Sequence, residues 1–192
     1  MCLWLTFANF RYPHDESDRI WQPSTNSTAT IKSSISVNVT NYTATNVNAP
    51  LQVLQTALND FQWLEFDEDL DKAGGGYRVF LYFLELNETV KPGQRMFDIY
   101  INNVMIKGTF DILANGSNYW EVVWDFMANG SLNLTLSKAS GSAFGPICNA
   151  YEVLQSITWV QETNQKGWWV QFTKFKFKCT HVFKRLTNQV LN

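Results

Sequence analysis

The chain has 192 residues, a length typical of a single domain. Its hydrophobic fraction of 45% and its aromatic fraction of 15% are enough to form a core, which excludes wholesale disorder. The net charge of -2 and the pI near 5.7 exclude the basic field that nucleic-acid binding requires.

The first polar cluster is "YPHDESDRIW" at residues 12–21, which follows an apolar start without the basic region of a signal peptide. It could be a catalytic cluster, a cation site or a polar anchor. His14 and His181 are the only histidines in the chain, and no serine stands in a Gly-x-Ser-x-Gly elbow. Nothing pairs two carboxylates across a cleft, so we predict no enzyme. We predict instead that Asp18, Arg19 and Trp21 anchor the start of the domain, with Arg19 donating to a carboxylate or to edge carbonyls.

The predicted elements are mostly strands. Residues 51–61 could hold a short helix, while "YRVFLYFLEL" (77–86) has the pattern of a central strand covered on both faces. Asn102-Asn103 predicts a hairpin between two strands, because Asn tolerates positive φ, and Ala128-Asn129-Gly130 predicts a second hairpin. "ICNAYEVLQ" predicts a further strand. Short strands separated by turns indicate an all-β antiparallel sandwich.

No metal or cofactor site is expected. Asp67, Asp69 and Asp71 fit the first ligand positions of an EF-hand loop, but Lys72 and Arg78 replace its required glycine and final acid. Three dispersed cysteines form neither a disulfide framework nor a zinc site, and we predict that Cys148 is a small buried core residue.

Seven Asn-x-Ser/Thr triplets, more than chance would give, predict an extracellular glycoprotein. In "SLNLTLS" the leucines alternate with Asn133, which places this acceptor on the solvent face of a strand. We expect glycosylation at Asn26, Asn38, Asn41, Asn87, Asn115, Asn129 and Asn133.

Several motifs carry a family resemblance: "YPHDESDRIWQP", "LQTAL", "YRVFLYFLEL", "FDIYINN" and "SGSAFGPICNAYEVLQ". Together they resemble the malectin-like region of plant leucine-rich-repeat receptor kinases. The resemblance implies a malectin-type, jelly-roll-like sandwich at residues 12–158, preceded by a remnant of a linker or lobe at 1–11 and followed by a linker at 159–166. It further implies the C-terminal lobe of a tandem ectodomain at the cell surface, with no signal peptide or membrane span in this chain.

The charge changes where the resemblance ends. Residues 1–166 carry a net charge of -7, whereas residues 167–192 carry +5. We predict that this basic, aromatic tail lies outside the fold and comes from intron read-through or an altered gene structure. The alternative is a genuine basic tail for membranes or anionic partners.

Saccharide binding is the favoured function, because sugar sites stack aromatic rings on sugars and add a few polar groups. Trp63, Tyr77, Tyr119, Trp120 and Trp124 are the candidate rings, although each of them taken alone is more often a core residue. The resemblance also permits binding of a peptide or a co-receptor, or a purely structural role beside a preceding malectin lobe.

Overall fold

A computed structural model describes Trp21 and residues 30–32, 38–39, 49–71, 74–128, 130–160 and 171–178. Its elements are one short helix, α1 (Leu51–Leu54), and the strands β1 (Thr30–Lys32), β2 (Thr56–Asn59), β3 (Trp63–Asp69), β4 (Gly75–Leu84), β5 (Met96–Ile101), β6 (Val104–Asp111), β7 (Tyr119–Ala128), β8 (Ser131–Lys138), β9 (Ile147–Cys148), β10 (Ala150–Val160) and β11 (Gln171–Lys178).

Two four-stranded antiparallel sheets form the sandwich that the sequence predicts. One has the order β11-β10-β4-β7, and the other has the order β3-β8-β5-β6. A smaller sheet, β1-β2-β9, lies beside them. Phe83 of the first sheet contacts Phe97 and Phe110 of the second, with ring centroids 5.5 and 5.2 Å apart. These aromatic contacts lie in the core between the two layers.

Strand β4 is central, as predicted, and every residue from Val79 to Leu86 is buried. It lies between β10 and β7. Its inner face packs on the second sheet, while Tyr82 on the other face meets Trp21 edge-to-face at 6.1 Å. Because both faces are covered, the run can be apolar throughout instead of alternating.

The first predicted hairpin is confirmed. Strands β5 and β6 pair up to Ile101 and Val104, and Asn102 and Asn103 both adopt positive φ, at 47° and 64°. Strand β8 also alternates as predicted, since Leu132, Leu134 and Leu136 are buried and the residues between them are partly exposed.

The second predicted hairpin is wrong. Strand β7 pairs with β4, whereas β8 pairs with β3 and β5, so β7 and β8 belong to different sheets. Gly130 still has positive φ, at 97°, and its carbonyl accepts from Leu70 N. The glycine therefore marks a turn, but the turn connects two layers.

The predicted helix is shorter than its pattern, and the last predicted strand is divided in two. Helix α1 has one turn before the chain enters β2, and Asn149 separates β9 from β10. The fully buried Asn149 accepts from Leu84 N and donates to the carbonyls of Leu54 and Thr56. One side chain thus connects α1, β2 and β4, and this local role interrupts the strand.

Part of the basic tail lies in the fold. Strand β11 pairs antiparallel with β10, from Val153 opposite Lys178 to Val160 opposite Gln171. This pairing runs against the prediction that residues 167–192 lie outside the fold. Its physical basis is the free edge of β10, which can pair with a segment whose apolar and basic residues alternate.

Candidate ligand-binding site

The five aromatic residues predicted for saccharide binding do not meet in one place. Tyr77 on β4 and Tyr119 on β7 are buried, at 4% and 8% exposure. Trp120 is partly buried: its Nε1 donates to the carbonyl of Ile112 at 2.8 Å, and its ring meets Phe110 edge-to-face. Tyr77 and Tyr119 therefore belong to the core, and Trp120 packs against it.

Trp63 and Trp124 are the two exposed candidates, at 61% and 41%, and they lie on different sheets. Trp63 begins β3 at an edge of the second sheet, whereas Trp124 lies on β7 at an edge of the first. They therefore belong to separate surfaces, and each has to be considered with its own neighbours.

Trp63 has an aromatic neighbour that sequence reasoning missed. Phe61, two residues earlier, is 64% exposed. The segment Asp60–Trp63, named here the aromatic turn, is closed by the Asp60 carboxylate, whose Oδ1 accepts from Gln62 N at 2.8 Å and from Trp63 N at 3.1 Å. Lys138 N donates to the carbonyl of Gln62 at 2.8 Å. The signal in the sequence was the Asp-Phe-Gln-Trp pattern, in which an Asp can close a turn with its own side chain.

The loop before β9 packs closely against the backbone of the aromatic turn. A Cβ on Gly145 would lie 2.0 Å from the carbonyl oxygen of Asp60 and 2.5 Å from the backbone of Phe61. Only glycine allows two backbones to approach so closely. The turn is therefore held between its own hydrogen bonds and a neighbouring loop, which gives Phe61 and Trp63 a fixed base.

A buried ion pair supports this arrangement from inside. Arg95 Nε donates to Glu85 Oε2 at 2.6 Å, and both side chains are 3% exposed. Arg95 Nη1 also donates to the carbonyl of Gly145 at 2.6 Å and to Asn59 Oδ1 at 2.8 Å. Asn59 directly precedes the aromatic turn, so Arg95 fixes both the base of the turn and the loop beneath it. Sequence reasoning gave these residues no role.

Polar groups lie beside Trp63 on the same outer face of the sheet. The register places Ser137 of β8 opposite Trp63, and Asp98 of β5 opposite Ser137. Lys138 follows Ser137 and therefore lies on the opposite face of β8, where its Nζ lies 4.0 Å from the centroid of the Phe61 ring and donates to the carbonyl of Ala143. The Trp63 ring beside a hydroxyl and a carboxylate, and the Phe61 ring beside an ammonium group, are each able to stack on a sugar and hydrogen-bond its hydroxyls.

A second exposed surface lies on the later half of β7. Val123, Trp124 and Met127 are 44%, 41% and 77% exposed. Within the described part of the chain β7 pairs on one side only, with β4. An edge strand leaves alternate N–H and C=O groups free to pair with another strand.

One charged pair lies beside this surface. Arg78 of β4 forms a two-bond ion pair with Asp125, at 2.6 and 2.8 Å. The hydrogen bond that Arg78 donates to Asp125 lowers the pKa of the Asp125 carboxyl below its ordinary value. Both side chains are largely exposed, at 42% and 65%, so the pair contributes little to stability.

The remaining predicted sites fall partly outside the described residues. Asp18 and Arg19 lie outside them, as do Asn26, Asn41 and Asn129, while Trp21 is fully buried against Tyr82. Asn38 and Asn115 are exposed, and Asn87 and Asn133 are partly exposed.

Across the described ranges, no group of three His, Cys, Asp or Glu side chains is placed to hold a metal ion. Nor does any helix there have the length and apolarity to span a membrane.

Comparisons with known proteins agree with this architecture. The family model of the malectin-like domain matches residues 4–156. The chain is 50% identical over 159 residues to the nodulation receptor kinase of Pisum sativum, covering 82% of this chain and 17% of that protein. It is 28% identical over 171 residues to a leucine-rich repeat receptor-like serine/threonine-protein kinase of Arabidopsis thaliana, covering 80% and 18%. The chain therefore spans less than a fifth of the length of these relatives.

Among solved structures, the fold is similar to a chain in the crystal structure of the plant peptide RALF23 in complex with FER and LLG2. The TM-score is 0.55 at 22% identity, with 69% of this chain and 40% of that chain covered. The crystal structure of the ANX2 ectodomain of Arabidopsis thaliana gives a TM-score of 0.54 at 19% identity, with 69% and 41% covered.

Proposed function

This chain belongs to the malectin-like domain family, as found in the ectodomains of plant receptor-like kinases, and we propose that it is a non-catalytic extracellular module that binds saccharide. The observation that carries the proposal is the pair of exposed rings on the aromatic turn, Phe61 and Trp63. Two large aromatic side chains exposed on one turn support the proposal, because exposed apolar groups close together are typical of interaction surfaces.

The mechanism of recognition follows from the side chains around the turn. A pyranose ring would stack on Trp63 with its hydroxyls bonded to Ser137 and Asp98, or on Phe61 with a hydroxyl bonded to Lys138. The supporting contacts of Asp60, Gly145 and Arg95 limit movement of the rings, which lowers the entropic cost of binding.

A titration with neutral oligosaccharides tests the proposal. Cellohexaose, laminarihexaose and xylohexaose are added to millimolar concentration while saturation-transfer NMR reports contact with the protein. We expect at least one of them to bind, and Trp63→Ala and Phe61→Ala to abolish that binding. Trp124→Ala is the matched control, since it removes an exposed tryptophan from the other sheet. Absence of binding by all three sugars, or equal loss in the control, contradicts the proposal.

A polypeptide ligand is the second candidate, and the edge of β7 favours it. The similar solved structure contains a peptide bound together with two proteins, and here Val123, Trp124 and Met127 are exposed beside a free strand edge. An extended peptide could add a strand to β7, with backbone bonds giving affinity and the three apolar side chains giving specificity.

Selection of a displayed random-peptide library on the chain tests this candidate. The double variant Val123→Lys/Met127→Lys should remove binding of the enriched peptides, because charged side chains at a sheet edge oppose strand addition. Val104→Lys/Met105→Lys, which alters exposed apolar residues on β6, is the matched control. Enriched peptides that bind both variants equally would show that the β7 edge is not the site.

A further inference from the structure

The seven Asn-x-Ser/Thr triplets are equivalent as sequence motifs, but the Asn side chains of two of them differ in their hydrogen bonds. Asn87 lies in the turn after β4, and Asn133 lies in the middle of β8. Transfer of a glycan needs a free side-chain amide nitrogen on the Asn. The hydrogen bonds of the two amides therefore decide how long each one stays available.

Among the described residues, the amide nitrogen of Asn87 has no hydrogen-bond partner. Its Oδ1 accepts from Thr89 N at 3.0 Å and from Thr89 Oγ1 at 2.7 Å, and its backbone carbonyl accepts from Val90 N. Nδ2 makes no hydrogen bond to any described residue. Thr135 Oγ1 donates to Asn133 Oδ1 at 3.0 Å in the same way, so the amide nitrogens and not the hydroxyl contacts distinguish the two sites. Thr89 and the neighbouring Glu88 are exposed, so a bulky glycan would extend into solvent.

The amide nitrogen of Asn133 is fully used. Nδ2 donates to Glu65 Oε1 at 2.8 Å and to Asp67 Oδ1 at 2.9 Å, so both of its protons serve the pairing of β8 with β3. A glycosylated amide keeps one N–H and could satisfy one of the two carboxylates. The other carboxylate would lose its donor, and the glycan would have to leave the sheet between two like charges.

We propose that Asn87 is the preferred N-glycosylation site of these two, and that folding protects Asn133 by locking its amide between Glu65 and Asp67. In the reaction, Asn87 Nδ2 attacks C1 of a lipid-pyrophosphate-linked oligosaccharide. A C–N bond forms, the bond from C1 to the pyrophosphate oxygen breaks, and the lipid pyrophosphate leaves. The amide proton goes to a base of the transferase, and nothing is oxidised or reduced.

The proposal depends on timing. Asn133 can react only until β3 and β8 pair, whereas Asn87 remains reactive after the chain has folded. More than 60 residues separate the two strands, so they can pair only after β8 has been synthesised. Once they pair, the Asn133 amide is no longer available for glycan transfer. Leaving Asn133 unmodified also keeps the outer face beside Trp63 clear. The proposal does not depend on saccharide binding.

Occupancy is measured on the 192-residue chain secreted from mammalian cells behind a cleavable signal. Enzymatic release of glycans in heavy-oxygen water converts each formerly glycosylated Asn to labelled Asp. Trypsin followed by chymotrypsin then separates the sites for mass spectrometry. We expect occupancy at Asn87 to exceed that at Asn133 severalfold, and Thr89→Ala to remove the Asn87 glycan alone. Equal occupancy, or more glycan on Asn133 than on Asn87, overturns the proposal.

A second variant tests the cause of the difference. Glu65→Gln/Asp67→Asn weakens the two charged acceptors and should raise occupancy at Asn133 severalfold. Asp69→Asn, two positions further along β3, is the matched control and should leave the ratio unchanged. If the double variant is secreted with the wild-type ratio, the amide lock is not the cause. If it is not secreted, the wild-type ratio still decides between the two sites.

Discussion

Two tryptophans on different sheets differ in what their rings contact. Trp63 stands out from the aromatic turn, whereas Trp120 buries much of its ring against Phe110 and donates its N–H to a carbonyl. Lys107 Nζ lies 5.5 Å from the centroid of the Trp120 ring and 5.0 Å from that of Phe110, which adds a cation–π contribution. The same residue type is therefore exposed in one place and packed against the core in the other.

Alanine substitution should separate the two roles. Trp120→Ala is expected to lower the free energy of unfolding by about 2–4 kcal/mol, because it removes partly buried ring contacts and leaves the Ile112 carbonyl without its donor. Trp63→Ala should change it by less than about 0.5 kcal/mol. Urea unfolding followed by far-UV circular dichroism measures both. Similar losses in the two variants would contradict these assignments.

Cys148 illustrates a prediction that the structure confirms. Its side chain is fully buried, and Sγ lies 3.7 Å from the carbonyl oxygen of Ala150. Desolvation by burial raises the pKa of the thiol from 9.0 to about 12. The thiolate is the reactive form, so the folded protein should keep this thiol inert.

A thiol-trapping experiment checks this prediction in a Cys2→Ser/Cys179→Ser background. Iodoacetamide at pH 8 should leave Cys148 unmodified in the folded chain and modify it in urea. The raised pKa means that the unfolded chain ionises first as the pH rises. The contribution of the thiol to stability is therefore complete below pH 9 and is lost as the pH approaches about 12. Rapid labelling of the folded chain at pH 8 would show that the thiol is accessible.

At the scale of elements, the turn between β5 and β6 depends on one backbone requirement. Asn103 has φ of 64°, a conformation that glycine and asparagine adopt readily and β-branched residues avoid. Asn102 has further roles, because its Oδ1 accepts from Asn133 N and its own N donates to the carbonyl of Asn133. Asn103 is thus the cleaner position for testing the turn.

Substitutions at Asn103 should follow the backbone preference. Asn103→Gly is expected to leave stability within about 0.5 kcal/mol, while Asn103→Val should cost about 1–2 kcal/mol because a branched Cβ clashes at positive φ. Thermal unfolding of both variants measures the difference. Valine tolerated as well as glycine would mean that the turn changes its conformation.

Local patterns predicted those elements whose cause is local. The Asn102-Asn103 turn, the alternation in β8 and the apolar run of β4 all depend on residues close in sequence. The Ala128-Asn129-Gly130 turn was misread because the same turn residues can join strands of one sheet or of two, and the choice depends on distant partners. Strand β8 finds its partners more than 60 residues away in β3.

The candidate site was predicted less well than the fold. A single sequence shows that a tryptophan is present but not whether its ring faces the core, so Trp63 and Trp120 were treated alike. Phe61 was missed because its exposure results from the turn that Asp60 closes and Gly145 supports. That support comes from a segment 85 residues later in the chain, which no local pattern reveals.

Across the whole molecule, the Arg95–Glu85 ion pair connects parts of the chain that are far apart in sequence. Glu85 follows β4, Arg95 precedes β5, and the guanidinium reaches Asn59 at the end of β2 and the Gly145 loop before β9. The Phe144 ring lies 5.4 Å from the guanidinium carbon. A charge so deeply buried persists because nearly every donor it offers is matched.

Breaking this pair should therefore cost more than any surface change. Arg95→Met leaves Glu85 buried without its partner and frees the Gly145 carbonyl, and we expect a loss of about 3–5 kcal/mol in the free energy of unfolding. Replacing both charges, as Arg95→Met/Glu85→Leu, should restore part of that loss, because no uncompensated charge remains. Urea unfolding gives both values, and a double variant no more stable than Arg95→Met would argue that packing, not charge, dominates.

The same variants connect stability to the aromatic turn. In the double variant the core is apolar, but the Arg95 hydrogen bonds to Asn59 and to the Gly145 carbonyl are lost, so Phe61 and Trp63 should become more mobile even where stability recovers. NMR relaxation of the Trp63 indole N–H reports this motion, with the Trp120 indole, which is bonded to Ile112, as the internal reference. Faster motion at Trp63 alone would show that the buried pair positions the turn. Unchanged motion in the folded double variant would limit Arg95 and Glu85 to a role in stability.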